Sequence, residues 1–199
     1  MNTYLKAGYT IEYIKNWLRA NLNDERYEHS LGTADCAKFL AEKYGLDEEK
    51  AYFTGLIHDC AKCMPKDETL KILEIIPTEE GEIENPKTHH APVGAYIAKK
   101  EFGINDKEIL SAIRWHTIGK LNMSLFEKII FLADKIETRT RPAEYREPIT
   151  ALLNEENGLD KALLLCYENT IKSLVDRKLT ICTATVDIYN ELLNKTKRV

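Results

Sequence analysis

No apolar run in the 199 residues approaches the roughly 18 needed to cross a bilayer, so no segment reads as a membrane span. The opening stretch MNTYLKAGYTIEYIKNWL has no basic region followed by a clean apolar one, so no signal peptide is expected and a cytoplasmic location is the default. Strand signals are scarce: no segment sustains period-two alternation, and no Asn-Gly or Asp-Gly sits between alternating apolar runs. A basic excess is also missing. The 28 Lys and Arg against 32 Asp and Glu leave a net charge of −4, which does not draw nucleic acid to the surface as a whole. An anionic substrate would therefore need positive charge supplied locally. Cysteine is sparse and odd in number. Cys36, Cys60, Cys63, Cys166 and Cys182 are scattered, which argues against a disulfide framework. Cys60 and Cys63 form a C-x-x-C, but no second pair accompanies it, and free thiols near a helix end are the expectation.

What is present is one helical pattern after another. Thr10 caps a helix to about Asn21, and a second runs from Asp24 to Tyr44-Gly45, with Ala34, Ala37, Ala41 and Tyr44 marking a buried stripe. Asp47 caps a third, expected to reach about Ala61 before Met64-Pro65 breaks it. A short helix follows over 67–76, and 77–87, with Gly81 and Asn85-Pro86, is the most loop-like stretch. Further helices are expected over about 90–102, from Asn105 or Asp106 to His116, and from the capping box of Ser124 and Glu127 through Asp134 to Glu137. After a basic break at 139–142, helices over 158–178 and 183–195 close the chain. With no repeat or linker in evidence, the expectation is an all-α fold in one domain over 1–199. Its metal-binding core covers about 25–145, and helices within 158–196 complete the fold and offer a surface for a homodimer.

All five histidines fall between positions 29 and 116. His29 stands in ERYEHSLG, His58 precedes Asp59 in GLIHDCAK, His89 and His90 are in KTHHAPVGA, His116 is in IRWHTIGK, and Asp134 follows in FLADKIE. Neutral imidazole with carboxylate suits Fe, Mn, Co, Ni and Zn, and the lack of thiolate argues against a closed structural zinc site. A carboxylate has two oxygens and can bridge two ions. Adjacent side chains on an ideal helix diverge by about 100°, so the His58-Asp59 pair requires a locally altered helix end. Thr54 and Gly55, one turn earlier, are small enough for another helix to approach closely there.

These motifs resemble the HD-domain phosphohydrolases. His29, His58-Asp59 and Asp134 match the H…HD…D pattern, and THHAPVGA, RWHTIGK and FEKIIFLADKIE are similar to one branch, the symmetrical bis(5'-nucleosyl)-tetraphosphatases that hydrolyse diadenosine tetraphosphate. The resemblance spans about residues 25–145. It implies a helical fold and two divalent metal ions, iron foremost, with Mn, Co or Ni as alternatives. His29, His58, Asp59 and Asp134 would hold one ion, and Asp59 would bridge to a second completed by His90 and His116. His90, which directly precedes Ala-Pro-Val-Gly, is the matching histidine, and His89 is the odd one out. Two departures stand out. The chain reads Thr138-Arg139-Thr140-Arg141-Pro142 where the family usually has Pro-x-Arg, and Thr117-Ile118-Gly119 where it has Thr-Thr-Gly. Either Arg139 or Arg141 can be the substrate-binding arginine.

Two divalent ions with two aspartates leave a charge of about +2, an excess that suits a polyphosphate. Metal coordination makes hydroxide available near neutral pH, and the expected reaction is its in-line attack on phosphorus, releasing two ADP from diadenosine tetraphosphate. Asp59 is the central catalytic carboxylate. Lys62, one helical turn after His58, is positioned to reach a phosphate oxygen or to steady Asp59. Thr117 is a second candidate phosphate contact, and Trp115, beside His116, is expected to shape the pocket. Two alternatives stand beside this one: a nucleotide phosphatase or phosphodiesterase of the same superfamily, and a nucleotide sensor without turnover. The ligand in each is a dinucleoside polyphosphate or another nucleotide.

Overall fold

Helix starts follow the capping chemistry written in the sequence. In the computed structural model, which describes residues 9–79, 82–83 and 85–197, ten α-helices and no strand occur among the described residues. They are α1 (Ile11–Asn21), α2 (Asp24–Lys43), α3 (Glu48–Ile57), α4 (Lys66–Leu73), α5 (His90–Glu101), α6 (Lys107–Trp115), α7 (Leu125–Ile136), α8 (Ala143–Leu152), α9 (Gly158–Asp176) and α10 (Thr183–Thr196). The side chains of Thr10, Asn23, Asp47 and Asp106 each accept a backbone N–H of the first turn they precede. Ser124 and Glu127 form the expected reciprocal capping box of α7. Glu127 does more than cap: it is buried and also takes Lys120 Nζ at 2.7 Å and the Ser111 hydroxyl.

Two elements depart from the expectations. Helix α3 stops at Ile57, four residues short of Ala61, for a reason that belongs to the site. Helix α8 was not among the expected helices, and Pro148 lies inside it. That proline is exposed, so water can take the carbonyl it leaves without a helical partner. The Asn-Gly of the chain, Asn157-Gly158, opens α9 with Asn157 in the left-handed region at φ 54°. Gly81 of the loop-like stretch lies outside the described residues.

Two apolar clusters hold the helices together. One joins α1 to the near faces of α2, α3, α5 and α6 through Ile14, Leu18, Phe53, Leu56, Phe102 and Ile113. The other joins the far half of α2 to α7, α9 and α10 through Leu40, Ile129, Ile130, Leu163, Cys166 and Ile188. Helix α2 contributes to both, and α7 packs on it.

The most extensive helix pair is α2 with α3. It closes at Gly55, where an added Cβ would lie 2.8 Å from the Thr33 carbonyl oxygen and 2.9 Å from the Ala34 Cα. Those are backbone atoms and cannot swing aside. An exposed helical glycine gains about 1 kcal/mol on replacement by alanine. Gly55→Ala should do the reverse, destabilising the fold by about 1–3 kcal/mol through overpacking. Urea unfolding decides the sign, and a stabilised variant would refute the close approach.

Candidate metal centre

Six side chains from five helices meet in the interior. His29 lies on α2 and Asp134 on α7, His58 and Asp59 follow the last residue of α3, His90 is the first residue of α5, and His116 follows the last residue of α6. Each is at most 6% exposed. They meet around the Asp59 carboxylate, and its two oxygens face different ways. Oδ2 lies 3.9 Å from both His29 Nε2 and His58 Nε2. Oδ1 lies 3.1 Å from His90 Nε2 and 3.2 Å from His116 Nε2. On the Oδ2 side, Asp134 Oδ1 is 2.8 Å from His29 Nε2 and 3.8 Å from His58 Nε2. On the Oδ1 side, His90 and His116 bring their Nε2 atoms to 3.2 Å.

The early end of α3 accounts for the pairing of His58 with Asp59. His58 Nδ1 donates to the Gly55 carbonyl at 2.7 Å, an oxygen that a continuing α-helix would give to the Asp59 amide. Tighter bonds follow, from Cys60 N to Ile57 O at 3.1 Å and from Lys62 N to Asp59 O at 2.9 Å. His116 repeats the device at the end of α6, donating Nδ1 to the Ile113 carbonyl at 2.7 Å. A helix end leaves such carbonyls without partners, and the imidazoles supply the missing donors.

These bonds also settle which nitrogen carries the proton. A carbonyl only accepts, so Nδ1 of His58 and of His116 must be the N–H, leaving Nε2 with its lone pair directed inward. His29 is set likewise by Glu137, whose Oε1 accepts from Nδ1 at 3.1 Å. Glu137 is fully buried and also takes the amides of Arg139 and Thr140 and the Thr140 hydroxyl. It fits only because residue 32 is glycine: a Cβ there would fall 2.2 Å from its Oε2.

Lone pairs therefore face lone pairs. His29 Nε2, His58 Nε2 and Asp59 Oδ1 are buried without a hydrogen-bond partner. Between His29 Nε2 and Asp134 Oδ1 a cation has to sit, whether proton or metal ion. Burial pulls the His29 imidazole down, but the Asp134 and Glu137 hydrogen bonds outweigh it and raise its pKa. Burial takes His58 to about 3 and His90 to about 4, so both are neutral near pH 7. Burial opposes ionisation of Asp59, yet His58, His116 and His90 hold its carboxyl well below the usual range. Asp134 is held down too, against burial, by Lys135, His29 and Arg141. Neutral imidazoles and ionised carboxylates are the state that metals require of their ligands. Two overlapping groups, His29–His58–Asp134 and His58–Asp59–His116, have donor atoms within 4.8 Å of one another. At metal–donor distances of about 2.0–2.2 Å, neighbouring ligands stand about 3.0–3.4 Å apart, so the set fits divalent ions.

Positive side chains surround the cluster. Lys62 Nζ lies 3.1 Å from His90 Nε2, and Arg26 Nη1 lies 3.6 Å from Asp59 Oδ2. Lys135 Nζ and Arg141 Nη2 reach Asp134 at 2.5 and 2.7 Å. Arg139 points elsewhere, forming ion pairs with Glu28 and Asp35 at 2.8 and 2.9 Å. Thr117 Oγ1 is buried beside His116 without a partner. His89 donates to the Ile83 carbonyl, away from the cluster. Trp115, expected to shape the pocket, is buried and does not line the cleft that Thr117 and Phe131 line. Cys60 is buried, Cys63 is exposed, and both are free thiols. Glu137, Arg26 and Lys135 were not singled out from sequence. Glu137 and Arg26 carry a readable signal, each lying one turn from a candidate ligand.

The HD domain family model matches residues 26–139. The symmetrical bis(5'-nucleosyl)-tetraphosphatase of Halalkalibacterium halodurans is 36% identical over 181 residues, covering 90% of this chain and 95% of that protein. The enzyme of the same name from Bacillus subtilis is 37% identical over 180 residues, covering 89% and 94%. A crystal structure from Clostridium acetobutylicum, described as a predicted HD superfamily hydrolase involved in NAD metabolism, superposes with a TM-score of 0.86 at 38% identity, covering 94% of this chain and 98% of that one.

Loss of an outer carboxylate that orients a ligating histidine typically lowers metal affinity about 10–100-fold. Glu137→Gln should fall at the weaker end of that range, since the amide oxygen still accepts from His29, and Glu137→Ala at the stronger end. His89→Ala should leave affinity unchanged. Metal titration with a competing chelator distinguishes these, and equal affinities for all three variants would remove Glu137 from the centre.

Proposed function

The chain belongs to the HD-domain family, and on that premise we propose that it hydrolyses diadenosine tetraphosphate symmetrically to two ADP. The observation that carries this reading is the division of the Asp59 carboxylate, one oxygen toward each set of imidazole nitrogens. His29, His58, Asp59 and Asp134 would hold one divalent ion, and Asp59, His90 and His116 a second. An N/O donor set without thiolate suits iron, with Mn, Co and Ni as substitutes. When bound, such ions lower the pKa of water and neutralise charge on phosphate oxygens.

The remaining work falls to protein groups. Water adds to the phosphorus on one side of the central P–O–P bridge. The bridging bond breaks, the other ADP leaves with the bridge oxygen, and the proton of the water passes to solvent. Lys62, Arg26, Lys135 and Arg141 would receive the phosphate chain. Of the two candidate arginines left open by the sequence, Arg141 pairs with Asp134 of the cluster and Arg139 with Glu28 and Asp35, so Arg141 is the favoured contact. Glu137 is a positioning residue that holds the His29 tautomer. Thr117 can donate its hydroxyl to a phosphate or ribose oxygen. The whole chain is read as one HD domain acting in the cytoplasm, and no described helix is long and apolar enough to cross a membrane.

The test is anaerobic loading with ferrous iron, incubation with diadenosine tetraphosphate, and chromatography of the products. ADP alone is expected. Asp59→Ala should lower kcat by at least about 10³-fold, in line with loss of the charge stabilisation that metals supply. ATP with AMP would refute the symmetry, and an intact dinucleotide would refute the activity. Arg141→Ala should cost more in kcat/KM than Arg139→Ala, and the reverse order would assign the role to Arg139.

A further inference from the structure

One cleft of the structure is lined in part by residues that neighbour the cluster in sequence, and the metal chemistry makes no use of it. Its volume is ≈ 520 Å³, within the roughly 300–1,000 Å³ of small-molecule sites. One wall comes from neighbours of the site. Thr88 precedes His90 by two residues, Thr117 follows His116, and Phe131 lies one turn before Asp134. A second part of the lining comes from Leu174 on α9 and from Leu179 and Thr180 on the connection to α10. That part lies outside the stretch 26–139 shared with the HD family at large.

The two spaces differ in charge. Arg26, Lys62, Lys135 and Arg141 crowd the cluster. Among the described residues that line the cleft there is no Asp, Glu, Lys, Arg or His. Threonine hydroxyls and aliphatic side chains predominate instead, Thr117 Oγ1 is buried without a partner, and Leu179 at the rim is 40% exposed. A phosphate would find no counter-charge in this cleft. A nucleoside would find what it needs: apolar contact for the faces of the base, and hydroxyls for its edge and for the ribose.

We infer that this cleft seats one nucleoside of the substrate, base and ribose together, and that the α9–α10 connection is a specificity-determining wall. The inference rests on the dinucleotide reading above for the identity of the ligand. It assigns binding work to C-terminal helices that carry no motif of their own.

The probes are ADP, which carries a nucleoside, and inorganic pyrophosphate, which does not. Both are titrated calorimetrically into the metal-loaded full-length chain. The wild type should bind ADP more tightly than pyrophosphate. Thr180→Trp, at an exposed position where folding is not at stake, should weaken ADP by about tenfold or more and leave pyrophosphate unchanged. Leu179→Ala, also at an exposed position, should act in the same direction. ADP affinity unchanged in both variants overturns the assignment, as does equal weakening of the two probes or a wild type indifferent to the nucleoside. The dinucleotide assay is scored separately. Failure to cleave with ADP selectivity intact sinks the proposed reaction and supports the cleft, whereas cleavage with ADP affinity insensitive to both variants sinks the cleft alone.

Discussion

The two oxygens of Asp59 have to serve opposite sides of one buried cluster, and much of the local structure follows from that requirement. A carboxylate divided in this way cannot sit on a regular helix beside His58, because both side chains would not aim inward. The chain meets the requirement by ending α3 at Ile57 and giving the Gly55 carbonyl to the His58 ring. Gly55 is itself constrained from the other side, where α2 presses its backbone at Thr33 and Ala34 onto the same turn. Helix contact, helix termination and tautomer choice are thus one local event. The same logic recurs at His116, where the end of α6 supplies the acceptor.

Burying two aspartates, a glutamate and four imidazoles in one region is expensive unless each charge is compensated. Glu137 gathers two amides, a hydroxyl and an imidazole N–H, so its burial is largely satisfied within the fold, and its carboxyl is held to about 2. Asp134 depends on Lys135, Arg141 and His29. Asp59 is less well provided for, since its Oδ1 has no hydrogen-bond partner and Arg26 stands 3.6 Å from Oδ2. The region least satisfied by protein groups is therefore around the carboxylate whose two oxygens face the two sets of imidazole nitrogens. Divalent cations would remove that deficit, and their binding would add to the stability of the fold by mass action.

The members of the cluster were legible in sequence because residue types, their order and their flanking residues are local facts. His29, His58, Asp59, His90, His116 and Asp134 were all named from the chain, and the structure brings all six together. Helix starts were legible for a similar reason, since a cap such as Asn23 or Ser124 acts within three residues. What escaped depends on tertiary packing. Glu137 becomes a partner of His29 only because α7 lies against α2 at Gly32. Arg139 and Arg141 are equivalent on paper, and they separate only when Glu28 and Asp35 on α2 turn out to lie beside the first. The end of α3 was misjudged because propensity favours continuation through Ala61, while a side-chain bond at His58 ends it. Helix α8 was missing from the expected helices, and its internal Pro148 is accommodated only because that position is at the surface.

Helix ends also set the field at the centre. His58 and His116 cap the C-termini of α3 and α6, where unpaired carbonyls carry partial negative charge. His90 opens α5, whose N-terminal amides carry the opposite sign. Two negative helix ends meet at the place that suits cations, and each contributes about 0.3–1 kcal/mol by the usual measure of such effects. A positive end arrives from the side of Lys62, the side from which an anion would be held. The cleft lined by Thr88, Thr117 and Leu174 lies beyond this charged zone, with no formal charge in its lining. A ligand spanning both spaces has to be highly charged at one end and neutral at the other, which is the build of a nucleotide and not of free phosphate.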